Sequence, residues 1–571
     1  MGIKKFFGWC RNRFADHIYR LEEKQTIDDL QDEFIAPVKV DNCMIDMNGL
    51  FHQSAQRAFE YGEFKPQGLL KRPVKNISFI QRQNKMFADV CKNINSIVEI
   101  IRPEKRLILC VDGPAPLSKQ SQQRQRRFVS ALHRSENDTT FDSNCLTPGT
   151  KFMDLLTKYV DWYIRKQITE NLFWSKLEVV YSNEKAVGEG EHKLISFLRK
   201  YGDKNESYCI VGADADLIML VLASQVENFY ILRESQQDFP YYFVDMKNLR
   251  KQLVELIVWK SDKHKFDPNQ AIIDFVFMCF TVGNDFLPHM PAVEIVEGGI
   301  DMMLDIYRNV CQYHGHLTKP STIFSQRFNL VATKVFLGTL GQYEKGILET
   351  KYKHRQQFFA DELLEKHIDR ETDLLNIDEY QADYYRKNFP EQDIELICHK
   401  YLEGMQWVLS YYTKGVPNWR WKYPYFYAPF ASSLAKHIYN FILKPFNLSE
   451  PSTPFIQLLS VLPPKSSKLL PAPLADLLST NSALSLYCPE KFTIDLSGVM
   501  EEWEGVVILP MIDFDLVKNE FEKRKHLLEP QDQRRNIRGK SFIYKRSNHA
   551  IPFKSKYGYL NSYVELVSID L

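Results

Sequence analysis

Seven carboxylates recur in one kind of place along this chain. Asp46, Asp112, Glu189 and Glu191, Asp214 and Asp216, and Asp285 each stand beside a Gly or Asn turn, at or just past a short apolar segment. Those segments are residues 43–47, 107–111, 177–181, 208–212 and 271–280. One acid in a turn means little, because Asp and Gly both favour turns. Repetition makes a pattern. Carboxylates gathered at neighbouring loop ends repel one another unless something positive sits among them. Ligands that are all oxygen suit a hard cation, Mg²⁺ with Mn²⁺ able to substitute. Two such ions ~3.5–4 Å apart clamp the attacking and leaving oxygens of a phosphoryl transfer, which is the chemistry expected here, with two ions.

Two further constellations point the same way. In residues 119–128, KQSQQRQRRF, the side chains of Lys119, Gln123, Arg126 and Arg127 share one face of a helix. An exposed basic helix has the same composition, but this one follows Asp112 closely, and three cations with an amide beside a metal site make a pocket for a terminal phosphate. The third is aromatic. His52 stands six residues after Asp46, and residues 411–430 read YYTKGVPNWRWKYPYFYAPF, with Trp419 and Trp421. An imidazole and an indole across a site can sandwich a base without reading its identity. The same block could equally be a hydrophobic buttress beneath a catalytic domain, and composition leaves both readings open.

The elements that must hold these groups alternate. Strand-like runs at 43–47, 107–111, 177–181 and 208–212 are separated by helical stretches, including 87–101 and 189–199. That alternation predicts an α/β fold with a mostly parallel central sheet and helices on both faces, its acids at the carboxyl ends of the strands where ligands bind. A helical and aromatic-rich second region is expected to pack on it. The expected division is a first region over 1–335 with the acids and the basic face, a charged helical connector over 336–400 and a second region over 401–571. The charge runs of 361–391 read as a solvated helical excursion, the aromatic and basic residues 1–19 as a helix packed on the core, and the end of the chain as Pro-rich loops and short helices.

Composition narrows the class. At 571 residues, with 44% hydrophobic and 25% charged residues, the chain is long enough for more than one core. No apolar run approaches the ~20 residues of a membrane span, and the first residues do not form a secretory signal. Ten scattered cysteines fit a reducing compartment, and Cys311, His314 and His316 have no second pair at zinc-finger spacing. A net charge of +1 requires any nucleic-acid affinity to come from local patches. The basic stretches 71–75 and 534–545 are weak nuclear signals, so cytoplasm is the default, nucleus the alternative.

At these residues the chain resembles the Xrn-type 5′→3′ exoribonucleases, relatives of the flap-endonuclease and PIN-like nucleases. MIDMNGLFHQ, VDGPAPLSKQSQQRQRRF, GEGEHK, GADADLIML and VGNDFLPHMP resemble the family's first region of similarity. MQWVLSYYTKGVPNWRWKYPYFYAPF, PFIQLLSVLPPKSSKLLP and EWEGVVILPMIDFDLV resemble its second. The resemblance implies that Asp46, Asp112, Glu189, Glu191, Asp214, Asp216 and Asp285 are the catalytic, metal-binding set. It also implies that Lys119, Gln123, Arg126 and Arg127 bind the substrate's 5′-monophosphate, and that His52 stacks on a base with Trp419 or Trp421. The family usually has Pro at Lys4, and Arg and Met at Leu117 and Gln120. The reading is a compact Mg²⁺-dependent exoribonuclease without long C-terminal extensions, a monomer degrading 5′-monophosphorylated single-stranded RNA to nucleoside 5′-monophosphates in RNA decay. Decapping or other RNA-decay factors are candidate partners. The alternatives are a flap-type 5′ DNA nuclease and a non-catalytic RNA-binding scaffold.

Overall fold

The computed structural model describes residues 5–21, 36–62, 77–132, 141–235, 240–293, 295, 298–320, 327–390 and 393–571. The basic stretch 71–75 lies outside them. The central sheet begins with β1 (Ile18–Arg20), β2 (Asn42–Asp46), β3 (Arg106–Cys110), β4 (Glu178–Ser182), β5 (Tyr208–Val211), β6 (Phe229–Glu234) and β7 (Tyr241–Asp245). Its order is β1-β7-β6-β5-β2-β3-β4, continued by two strands from the end of the chain, Ser541–Ser555 and Gly558–Ile569. The strands from β6 to β4 in that order are parallel, and the antiparallel pairs lie at the edges.

Parallel strands covered on both faces read as continuous apolar runs, as Cys43-Met44-Ile45 and Leu107-Ile108-Leu109 do. Successive side chains point to opposite faces. Accordingly Met44, Ile108, Val180 and Ile210 enter one core, while Ile45, Leu107, Leu109, Val179 and Val211 enter the other. The second core is covered by α2 (Met47–Phe59), α3 (Phe79–Ile101) and α5 (Lys151–Glu170), and the first by α6 (Gly190–Tyr201), α7 (Asp216–Ser224) and the helices Pro268–Cys279 and Ile394–Lys414. α1 (Phe6–Arg13) buries Phe6 against the first core. Between β3 and β4 the chain also forms α4 (Leu117–Leu132). Since β2, β3 and β4 run outward in one direction and β5 returns to the other side of β2, the strand order reverses between β2 and β5. Ligands of open α/β sheets bind at such a switch point.

Two segments differ from the sequence expectation. The end of the chain forms a long hairpin, not loops and short helices. Phe542, Ile543 and Tyr544 pair with Tyr181, Val180 and Val179 on the free edge of β4. About half of the hairpin's side chains are exposed and some of the buried ones, Ser541 and Ser562, are polar, so it carries little apolar signal, and its strand identity comes from the edge it covers. Residues 361–391 include the helices Glu362–Lys366 and Ile377–Asn388, as expected, but they enclose a small core. Tyr380, Tyr384, Tyr385 and Phe389 pack with Phe430 and Leu364 beneath the charged surface. Among the described residues no helix is long and apolar enough to cross a membrane, and all ten cysteines are buried and free.

Candidate active site

Asp46 ends β2 and caps α2, its Oδ1 accepting the Asn48 N–H at 3.4 Å. Asn48 in turn accepts the Asp112 N–H at 3.0 Å, which ties the ends of β2 and β3 together. Asp112 Oδ1 accepts the Gly190 N–H at 2.6 Å at the start of α6. A Cβ on Gly190 would stand 2.5 Å from Asp46 Oδ1 and 3.4 Å from Asp112 Oδ1, so only glycine fits between those carboxylates. Gly113 is equally constrained: a Cβ there would meet the Ala186 carbonyl oxygen at 1.7 Å. These two glycines let the loops after β3 and β4 pack backbone to backbone.

Glu189 precedes α6 and Glu191 lies in its first turn, while Asp216 begins α7 with Asp214 just before it. Asp285 sits in the loop after Pro268–Cys279, where Asn284 Oδ1 accepts the N–H groups of Phe286 and Leu287, each at 2.9 Å. Glu189, Glu191 and Asp216 are buried at the back; Asp46, Asp112, Asp214 and Asp285 are half-buried at the front. The structure therefore brings all seven acids to the sheet's switch point, where each feels the charge of others.

Their electrostatics show a shortage of positive charge. Burial first, then Asp112, pushes Asp46 up to about 7. Burial and then Asp214 push Asp216 up to about 8, and burial raises Glu189 and Glu191 as well. Asp285 goes the other way: burial raises it, but Lys119 together with other positive charge, Arg126 included, outweighs burial and holds it at about 2. Lys119 Nζ lies 2.6 Å from both Glu189 Oε2 and Asp285 Oδ2. Spacing suggests a lysine that faces a phosphate pocket; the structure puts its ammonium among the carboxylates, at the boundary between the two sites. Lys119 contacts two of the acids, and the charges of Lys193, Arg126 and Arg233 reach others; the crowding is still costly, since two like charges ~4 Å apart repel by ~4 kcal/mol in a partly solvated site.

The donor set fits a hard divalent cation: seven oxygen-donor side chains, a glycine cradle and an ammonium standing where positive charge is needed. Among the described residues no three Asp, Glu, His or Cys side chains converge closely enough to ligate one ion on their own. That spacing suits Mg²⁺, which keeps several of its waters and takes few carboxylates directly.

The rest of the basic face behaves as a separate pocket. Arg126 is exposed, Arg127 half-buried, and Arg127 Nη1 is a buried nitrogen with no hydrogen-bond partner among the described residues. Burial, then Arg126, brings the Arg127 guanidinium down to about 10. A cation held that way is short of an anion. His52 reaches solvent at the mouth. Protein crowded around it, then Arg126 and Arg127, pushes its imidazole down to about 4. It is therefore neutral, and it lies beside the basic face.

The reverse of α4 is gripped by residues more than 300 positions away. Leu117 N–H donates to the Trp419 carbonyl at 2.8 Å, Gln120 Nε2 to Ser452 Oγ at 3.0 Å, and Arg124 to the carbonyls of Ser460 and Tyr487. In the aromatic block, Trp421 stacks one face on Trp407 at 5.0 Å and 21°. Among the described residues Trp419 stacks on no other ring, and His52 contacts neither indole. Tyr423 and Phe430 are buried, as the buttress reading has it; the platform reading stays open.

Sequence reasoning missed several residues. Tyr411 Oη donates to Glu189 Oε1 at 2.7 Å, and its ring stacks on His192 at 3.6 Å and 3°. Tyr412 bonds to Asp216. Lys193 Nζ donates to the carbonyls of Val111 at 2.6 Å and Asn183 at 2.9 Å, and burial brings it down to about 8. His192 and Lys193 stand in GEGEHK itself, so their position was a usable signal. Nothing local marks Tyr411 among so many tyrosines.

Comparison with known proteins agrees with this geometry. Residues 1–235 match the family model described as the XRN 5'-3' exonuclease N-terminus, and residues 265–383 and 374–565 match the Xrn1 helical domain. The 5'-3' exoribonuclease 2 homolog of Drosophila melanogaster is 28% identical over 95% of this chain and 73% of its own length. Human 5'-3' exoribonuclease 1 is also 28% identical, over 94% of this chain but only 35% of itself. Among solved structures, the catalytic core of Rad2 in complex with DNA is matched at 16% identity and a TM-score of 0.31, over 67% of this chain and 86% of that one, a likeness that carries no argument about substrate.

Proposed function

The chain belongs to the Xrn family of 5′-3′ exonucleases, and on that premise we propose that it hydrolyses single-stranded RNA from a 5′-monophosphate end, releasing nucleoside 5′-monophosphates one at a time. The observation that carries the reading is the adjacency of two unsatisfied charges of opposite sign. A carboxylate cluster short of cations lies beside a guanidinium short of an anion, and Lys119 separates them.

In this reading Arg127, Arg126 and Gln123 hold the terminal phosphate, and Lys119 faces both that phosphate and the acids. A capped or triphosphate end is excluded by size and charge. Neutral His52 gives the first base a ring to lie on, and Trp419, with no other ring against it, is a better opposite platform than Trp421. Stacking is worth ~1–3 kcal/mol per base and ignores sequence, which suits stepwise movement along any RNA. Asp46, Asp112, Asp214 and Asp285 at the open front, with Glu189, Glu191 and Asp216 behind, would hold the metal. The chemistry supplied by divalent ions of the Mg²⁺ type when bound is activation of water and neutralisation of the departing 3′ oxygen. Tyr411 and Tyr412 fix Glu189 and Asp216 from behind, so the acids need not reorganise during the reaction. The expected setting is RNA decay in the cytoplasm, by a monomer.

The test is mononucleotide release from one RNA carrying a 5′-monophosphate or a 5′-triphosphate, with Mg²⁺ and with EDTA. Release from the monophosphate alone, abolished by EDTA, is expected. Equal attack on both ends would remove the phosphate pocket and leave the acid site. Binding with no release would favour the scaffold.

A further inference from the structure

Gln457 has no solvent exposure, in a helix (Pro454–Val461) whose other residues are all buried and mostly apolar. A buried amide in such surroundings is costly unless its hydrogen bonds are made. Both ends of this one are engaged. Its Oε1 accepts the Ala115 N–H, just before α4, at 2.7 Å. Its Nε2 donates to Gln123 Oε1 at 3.3 Å.

The direction of these bonds follows from chemistry, independently of how the amides are drawn. A backbone N–H can only donate, so it is the oxygen of Gln457 that must face Ala115. Its NH₂ group must then face Gln123, and Gln123 must present its oxygen to Gln457. That leaves both N–H donors of Gln123 for the basic pocket. Turned by 180°, the same side chain would aim a carbonyl oxygen at an anion. The polarity of a pocket residue is thus set by a backbone N–H two amides away.

We propose that Gln457 is a positioning residue that holds Gln123 in its donor orientation and so sets the preference for a 5′-phosphorylated end. The inference rests on the phosphate-pocket reading above. It assigns a role to a residue of the second region that touches neither substrate nor acids, and it gives that region a part in end selection beyond packing.

The experiment compares KM and kcat for one short single-stranded RNA carrying a 5′-monophosphate or a 5′-hydroxyl. The proteins are wild type, Gln457→Met, Gln123→Met and the double variant. Each preference is a ratio taken on one preparation, so any fraction lost to unfolding cancels. Gln457→Met is expected to lower the preference for monophosphate by about tenfold, through KM, as befits loss of one hydrogen bond to a charged group. In the Gln123→Met background the same change should add nothing, because there is no amide left to orient. If Gln457→Met does not fold, Gln457→Glu keeps the acceptor for Ala115 and, at pH 9, offers Gln123 only a carboxylate oxygen. Gln123 then turns, and the preference falls further. An unchanged preference in either variant, or an additive loss in the double variant, would overturn the proposal. Failure of the pocket itself shows separately, as a wild-type enzyme with no preference at all.

Discussion

Asp274 and the seven-acid cluster are both buried carboxylate sites, and the chain treats them in opposite ways. Asp274, with no exposed surface, lies in the helix Pro268–Cys279 and is surrounded by donors. Tyr307 Oη is 2.8 Å away, His316 Nδ1 2.7 Å, and the N–H groups of Leu317 and Thr318 3.1 and 2.7 Å, with the Thr318 hydroxyl completing the set. His316 Nε2 accepts the Asp267 N–H, so the imidazole carries its proton on Nδ1 and is built for this task. At the switch point the carboxylates face one another, and burial and mutual repulsion raise Asp46, Glu191 and Asp216 despite Lys119 among them. A carboxylate with every lone pair occupied stabilises a fold; carboxylates crowded against one another, with their pKa values raised, weaken one. The difference separates structural from functional acids better than burial does.

The largest test of that contrast is Asp214→Asn/Asp216→Asn. Turnover of 5′-monophosphorylated RNA should fall by at least ~10³-fold, since electrostatic groups of this kind carry most of the rate. The melting temperature should stay level or rise, because repulsion is relieved. Turnover within about tenfold of wild type in the purified variant would mean that the cluster is not the catalytic site. Asp274→Ala should do the reverse. Leaving five donors around a void should cost ~3–5 kcal/mol in chemical denaturation, while turnover per folded molecule stays within about twofold. A melting curve like that of wild type would undo the comparison.

Glu344 is an intermediate case. It is buried, and it accepts the Ala431 N–H at 2.6 Å, the Ser432 hydroxyl at 2.5 Å and the Ser432 N–H, fewer donors than Asp274 has. Burial pushes it up to about 7. A carboxyl raised on folding contributes stability that is complete below its unfolded pKa and is lost as pH rises through the folded value. Stability should therefore fall between pH ~4.5 and 7 by at most ~3 kcal/mol from this group. Glu344→Gln should flatten that part of the profile; thermal melts at pH 5 and 8 decide, and an unaltered slope would assign it elsewhere. The smallest effect belongs to Tyr411→Phe, which removes only the hydroxyl on Glu189. We expect kcat lower by ~3–10-fold and stability changed by ~1 kcal/mol or less. A kcat equal to wild type would show that Glu189 is fixed by Lys119 alone.

Much of the site was legible because its signal is local. Asp46, Asp112 and Asp214 stand at or just after strands whose apolar runs are visible, and a strand end plus a glycine turn places a side chain without knowledge of its neighbours. The face made by Lys119, Gln123, Arg126 and Arg127 follows from helical period alone. Less visible was what each member touches. Lys119 and Arg127 are both cations on that face, yet one is held between two carboxylates and the other has a nitrogen without a partner. The C-terminal hairpin was misread because about half of its side chains are exposed and Ser541 and Ser562 stand among the buried ones, so its alternation has only a weak apolar half.

By itself, then, the sequence determined the acids, the order of strands and helices that carries them, and the basic face, since all of these are encoded within a few turns of chain. The tertiary structure alone decided the partners of Lys119, the grip of Trp419, Ser452 and Ser460 on α4, the hydroxyl of Tyr411 on Glu189, and the amide of Gln457 behind Gln123. Each of those contacts joins residues at least 70 positions apart, most of them more than 150. A side chain's charge state, and the direction in which an amide points, depend on the partners that packing delivers, and no pattern of neighbours along the chain records them.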